Sequence, residues 1–218
     1  MIVRIAFHAR VQALALAAGL ALAGAASAQS LPKPAEFYFD ADARALKPLV
    51  AAGADTEAEM QRLLRKVERD PQAQTELAQL AHLAMRHGRV DTGRALYGRA
   101  LARIDRNNTQ WRAVVWNYGW DLYRAGDAPG AFAQWVSLNA ASRNVNAAWM
   151  PPTYALALWT LGRRDEAVQW YAAAVRTQPG DWTATQGYAR LLPDWQPAER
   201  DTLAQVHAAW VAAPPSWP

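Results

Sequence analysis

The chain has 218 residues, 52% of them hydrophobic and 19% charged, with a formal net charge of +4 and a mean hydropathy of -0.20. That length builds one domain or two small ones, and the composition excludes wholesale disorder, collagen-like repetition and a multi-span membrane protein. Zero cysteines exclude a disulfide framework, a thiolate metal site, a cysteine nucleophile and a lipid-bearing cysteine.

Residues 1–28 read as a bacterial secretory signal. Arg4 and Arg10 give a positive start, Val11 to Ala26 is almost wholly apolar, and Ala26-Ser27-Ala28 supplies small residues for cleavage. The alternative is an uncleaved anchor, but the Ala-rich run falls short of the ~20 strongly apolar residues that span a bilayer. Cleavage after Ala28 predicts a periplasmic chain without stable membrane insertion. It leaves 21 basic residues against 19 acidic ones, a net +2 that gives little reason to expect nucleic acid as a partner.

Residues 29–39, with Pro32, Pro34 and the Phe37-Tyr38-Phe39 cluster, predict an extended leader. Residues 40–73 predict a degenerate hairpin: Thr56 and Glu59 form a capping box for a helix to about Arg69, and Asp70-Pro71 opens the next helix. In residues 74–181 a period appears. Gly88, Gly126 and Gly162 each open a turn between two helical patterns, 38 and 36 residues apart. Behind them sit Gly93, Tyr97 and Ala100; Ala131, Trp135 and Leu138; Ala167, Tyr171 and Ala174. Ahead of them sit Leu80, Ala81 and Ala84; Tyr118, Gly119 and Leu122; Tyr154, Ala155 and Leu158. Small residues at facing positions let the two helices of a hairpin approach closely, and large ones fill the seams. Downstream, Asp181 predicts a cap for a helix to about Leu192. Pro197 opens a last helix, so residues 182–213 read as a capping hairpin and 214–218 as a tail.

This pattern resembles the tetratricopeptide repeat. The third copy matches best, running through Tyr154-Ala155, Leu158, Gly162, Ala167, Tyr171 and Ala174 to Pro179. It departs at Pro151, where the family favours Trp, and the first two copies have Asp105 and Arg143 in place of the inter-repeat proline. The resemblance implies an all-α, right-handed α-solenoid of antiparallel helix hairpins, about five of them, with no sheet.

No catalytic motif accompanies the repeat: HExxH, GxSxG and a phosphate-binding glycine loop are all missing. No enzyme activity, no cofactor and no metal is expected. His82 and His87 are five apart, a poor spacing for joint ligation on a helix, and read as ordinary helix residues. Asp40 and Asp42 lack the glycine and closing glutamate of a calcium loop and read as a solvated turn. In Asn107-Asn108-Thr109, Thr109 reads as a helix N-cap.

The resemblance places the concave ligand groove on the first helix of each hairpin. Carried over, its positions are His82 and Arg86; Trp116, Asn117, Trp120, Tyr123 and Arg124; and Trp149, Thr153, Leu156 and Trp159. Trp116, Trp120 and Tyr123 share one helical stripe, which is either the face of a buried helix or an aromatic binding floor. The floor is the working expectation, since aromatic anchors beside Arg and Asn suit peptide recognition. The family's carboxylate clamp does not carry over: its positions read Ala78, His82, Asn117, Trp149 and Thr153, and only Asn117 fits. The resemblance thus implies a non-catalytic adaptor for a peptide or protein partner. The alternative is an envelope carbohydrate-binding or carbohydrate-processing protein using the same aromatics, with Asp121 beside them read as an exposed helix charge. A structural scaffold that binds through its convex face or its ends is a third reading.

Overall fold

Six helices carry the repeat, in three antiparallel pairs, and one backbone device closes each pair. The computed structural model describes residues 31–40, 42–43, 46–49, 53–141 and 146–216; the expected signal segment, residues 1–28, lies outside them. In chain order the helices are α1 Glu57–Arg69, α2 Gln74–Arg86, α3 Val90–Leu101, α4 Thr109–Arg124 and α5 Ala128–Ala140. There follow α6 Met150–Thr160, α7 Arg164–Thr177, the short α8 Pro179–Trp182 and α9 Tyr188–Leu191, and α10 Pro197–Ala212. The hairpins are α2/α3, α4/α5 and α6/α7. Gly88, Gly126 and Gly162 have φ of 72°, 84° and 77°, the left-handed region that a side chain resists. In each turn the residue after the glycine donates its N–H to a carbonyl five positions back: Arg89 to Ala84, Asp127 to Leu122, Arg163 to Leu158.

Close approach and large seams follow the sequence pattern. A Cβ on Gly119 would collide with the Trp135 indole, and one on Gly93 with the Met85 side chain. Tyr97, Trp135 and Tyr171, which occupy one position in the three copies, are all fully buried. Tyr97 stacks on Tyr118 at 4.4 Å, and Tyr154 packs edge-on against Trp170 at 4.8 Å. The fold is therefore an all-α, tetratricopeptide-like solenoid. No helix among the described residues is long and apolar enough to cross a membrane.

The ends depart from the repeat. Of residues 40–73, the described helix is α1, which packs on α2 through Met60, Leu63 and Val67. Thr56 caps it as expected, accepting the Glu59 N–H, but the Glu59 carboxylate turns to Gly53 N–H and Arg62 instead of closing the box. Pro71 does not open α2. The Asp70 carboxylate accepts the Gln72 N–H in a turn at the end of α1, and α2 begins at Gln74. Asn108, not Thr109, caps α4, its side chain accepting the Gln110 N–H. At the far end Asp181 lies inside α8 and pairs with Arg190, and the expected helix to Leu192 is broken into α8 and α9. Helix α10 does start at Pro197 and packs on α6 and α7 with Leu203 and Val206 fully buried. The leader makes one isolated parallel bridge, Phe39 to Ala147, with Tyr38 buried against Trp170.

Candidate functional site

Helices α2, α4 and α6 each turn one face to a common cavity of about 1120 Å³. The first-helix face of α4 supplies most of it, because 3.6-residue periodicity aligns Trp116, Asn117, Trp120, Asp121 and Arg124. His82 and Arg86 enter from α2, and Thr153 and the α6 N-cap residue Trp149 from the α6 end. Two irregular segments complete the wall: Leu46, Pro48 and Leu49 near the N-terminus, and Leu191 to Gln196 ahead of α10.

Eight of the eleven groove positions expected from sequence thus meet at this cavity: His82, Arg86, Trp116, Asn117, Trp120, Arg124, Trp149 and Thr153. Tyr123, Leu156 and Trp159 do not line it, Leu156 being fully buried. The Tyr123 hydroxyl pairs with Thr160 Oγ1 at 2.8 Å, whereas Trp159 donates through Nε1 to Gln205 of α10 at 3.1 Å, with Arg164 over its ring.

An open aromatic floor is not what forms. Trp116 and Trp120 are only 8% and 6% exposed. Trp120 meets Trp135 at 5.0 Å and Trp195 at 4.9 Å, while Trp116 meets Trp149 at 5.2 Å. Five indoles packed edge-on leave little face free, so these rings act chiefly as the packed base of the cavity. Arg124 is also committed. It lies over Trp120 and makes a two-point ion pair with Glu199, which is buried at the start of α10 and accepts the Gln196 N–H. Arg86 and His87 both pair with Asp55.

Asp121 is buried, not the exposed charge expected. Its Oδ2 accepts the Tyr97 hydroxyl at 2.6 Å and its carboxylate takes His82 Nδ1 at 2.9 Å, joining α2, α3 and α4. A carboxylate only accepts, so His82 carries its proton on Nδ1 and presents Nε2 from the opposite edge of the ring. Burial, and after it the Asp121 charge, holds the Tyr97 phenol well above its ordinary value, so it remains a donor.

The Asp42 region is not a solvated turn either. Arg112 Nε donates to Asp42 Oδ1 at 2.9 Å and Nη2 to Oδ2, and Trp149 Nε1 reaches Oδ2 at 3.0 Å. Asn117 grips the backbone beyond: its Oδ1 accepts the Leu49 N–H and its Nδ2 donates to Lys47 O, both at 2.8 Å. Sequence reasoning missed Arg112, although it sits one turn before Trp116 on the same stripe. It also missed Glu199, whose place three residues after Gln196 marks a helix start.

Among the described residues no group of three or more His, Asp or Glu side chains is placed to hold a metal. Every buried side-chain polar atom among them has a partner. The walls therefore offer aromatic edges, one Asp-oriented imidazole and an amide that engages backbone, a set suited to binding a polypeptide.

In comparisons with known families, residues 152–191 match the tetratricopeptide repeat. The stretch runs from α6 through α9, the copy whose motif is most complete. No curated protein and no solved structure matches the chain. The fold and this match together support a tetratricopeptide-repeat protein, a class whose repeats generally mediate protein–protein interaction.

Proposed function

We propose that this chain is a non-catalytic adaptor of the bacterial cell envelope that binds a segment of a protein partner in the cavity between α2, α4 and α6. The observation that carries this reading is the convergence of three first helices on one cavity with a backbone-gripping amide, Asn117, in its wall. The aromatic base gives apolar contact at its edges, and His82 offers a ring nitrogen of fixed tautomer. Residues 1–28, whose sequence reads as an export signal cleaved after Ala28, support a periplasmic site of action. Nucleic acid is not favoured as the partner, because cleavage would leave a net charge of only +2 and, among the described residues, Arg62, Arg86, Arg89, Arg94, Arg112, Arg124, Arg163 and Arg190 pair with carboxylates.

Photo-crosslinking tests the reading. A crosslinker replacing Arg86 at the cavity should yield discrete protein adducts in envelope-expressing cells, and one replacing the exposed Arg99 of α3 should not. Equal adducts from both positions, or none from Arg86, would reject the cavity as the binding site.

A further inference from the structure

Part of the cavity wall, Leu46, Pro48 and Leu49, belongs to an irregular segment of the chain itself. Residues 42–43 and 46–49 carry no helix, and Asp42, Lys47 and Leu49 meet Arg112 and Asn117 of α4 and Trp149 at the start of α6. Among the described residues their hold on that surface is polar: the Asp42 carboxylate, which Arg112 and Trp149 take together, and the Lys47 carbonyl and Leu49 amide, which Asn117 brackets. Lys47 and Pro48 are exposed, so the described part of the segment makes no apolar anchor of its own beyond the half-buried Leu46 and Leu49.

The receptor side is costly where the strap is cheap. Arg112 and Asn117 are largely withdrawn from water, with the Arg112 side chain 15% exposed and Asn117 buried. Polar groups so placed need partners. What they contact in the strap is generic: one carboxylate and the two backbone groups flanking Pro48. Any polypeptide with an acidic side chain and a non-helical backbone pair five to seven residues later presents the same groups.

We propose that residues 42–49 are an internal ligand that keeps a peptide site on α4 and α6 closed. The partner's segment displaces them by offering its own carboxylate to Arg112 and Trp149 and its own backbone to Asn117. This rests on the adaptor reading above and specifies both the chemistry of the bound segment and its regulation. A tethered strap competes at an effective concentration of about millimolar, so an incoming peptide binds the closed protein more weakly by the fraction of time the strap is away.

The probe is a fluorescent synthetic peptide of residues 40–49, titrated into the full mature chain and its Asp42→Ala variant, with hydrogen exchange of the Leu49 amide reporting whether the strap is seated. Asp42→Ala should speed that exchange and tighten probe binding at least tenfold. A probe with alanine in place of its own Asp42 should not bind, and adding Asn117→Ala should abolish capture. If Asp42→Ala loses a cooperative melt, Asp42→Asn carries the same test with the side-chain shape retained. Equal probe binding by the original chain and the variant would show that the strap does not occupy the peptide site, leaving the adaptor reading intact. A freed strap with no probe binding would overturn the peptide site on Arg112 and Asn117; the Arg86 crosslinks then decide separately whether the cavity binds a partner elsewhere. A wild-type dimer with exchanged straps would overturn the assignment of a foreign partner in favour of a second copy.

Discussion

The hairpins α2 to α7 and the terminal segments that lie against them are held by different physics. Inside the hairpins, small residues set the spacing and large rings fill it: Gly119 touches Trp135, and Tyr97, Trp135 and Tyr171 disappear from solvent. The segment around Asp42 attaches through polar anchors, Asp42 on Arg112 and Trp149 and the Lys47 and Leu49 backbone on Asn117, whereas α10 adds buried Leu203 and Val206 to its Glu199–Arg124 pair. Dispersion and apolar burial are spread over many atoms and resist exchange, whereas a few charge-assisted hydrogen bonds can be traded one for one with another chain. The contrast teaches that the repeat supplies the rigid part and the segment around Asp42 the part that can give way.

The sharpest way to break this comparison is to empty the repeat's core. Trp135→Ala should lower global stability by about 3–5 kcal/mol, read as a shift of the whole denaturation midpoint. If only a local segment loosens, the hairpins are not one cooperative unit. Next, Asp121→Asn sets a donor against the Tyr97 hydroxyl and His82 Nδ1; we expect a loss of about 1–3 kcal/mol, again global because three helices meet there. Gly126→Ala should cost about 1 kcal/mol through its positive φ alone, since a Cβ there meets no neighbouring atom.

Asp42→Ala should move the melting midpoint less than Trp135→Ala does, because a released strap opens Arg112 and Asn117 to water, which replaces the lost partners. It should instead raise hydrogen exchange at residues 46–49, and a global loss as large as that of Trp135→Ala would erase the distinction between the two regions. Alkaline pH probes the core without mutation. Tyr188 is pushed up to about 12, chiefly by burial, and Tyr97 well above 10 by burial and the Asp121 charge. A raised folded pKa means that the unfolded chain loses its proton first. This contribution is therefore full below pH 10 and lost as pH climbs from 10 toward 12. Melting temperature should be flat to about pH 9 and fall beyond it; a flat profile to pH 12 would mean that these phenols are not buried in solution.

Much of the repeat could be read directly. The glycines declared the turns because only their backbone tolerates the left-handed conformation, and the small-then-aromatic sets declared the interfaces because volume at a close crossing is local information. The groove was legible only as a list of positions. Whether Trp116 and Trp120 face solvent depends on Trp195, which arrives from 75 residues beyond Trp120, and periodicity within α4 cannot report that.

By itself, then, the sequence determined the hairpins, their turns and the face each first helix turns inward, since these follow from backbone conformation and short-range spacing. Tertiary structure alone decided the fate of that face. It brought Asp42 to Arg112 across 70 residues and Glu199 to Arg124 across 75, it buried Asp121 between Tyr97 and His82, and it packed Trp195 over the expected aromatic floor. The reason is that a charge or an indole finds its partner through the path of the whole chain, and no local pattern fixes where two distant irregular segments come to rest.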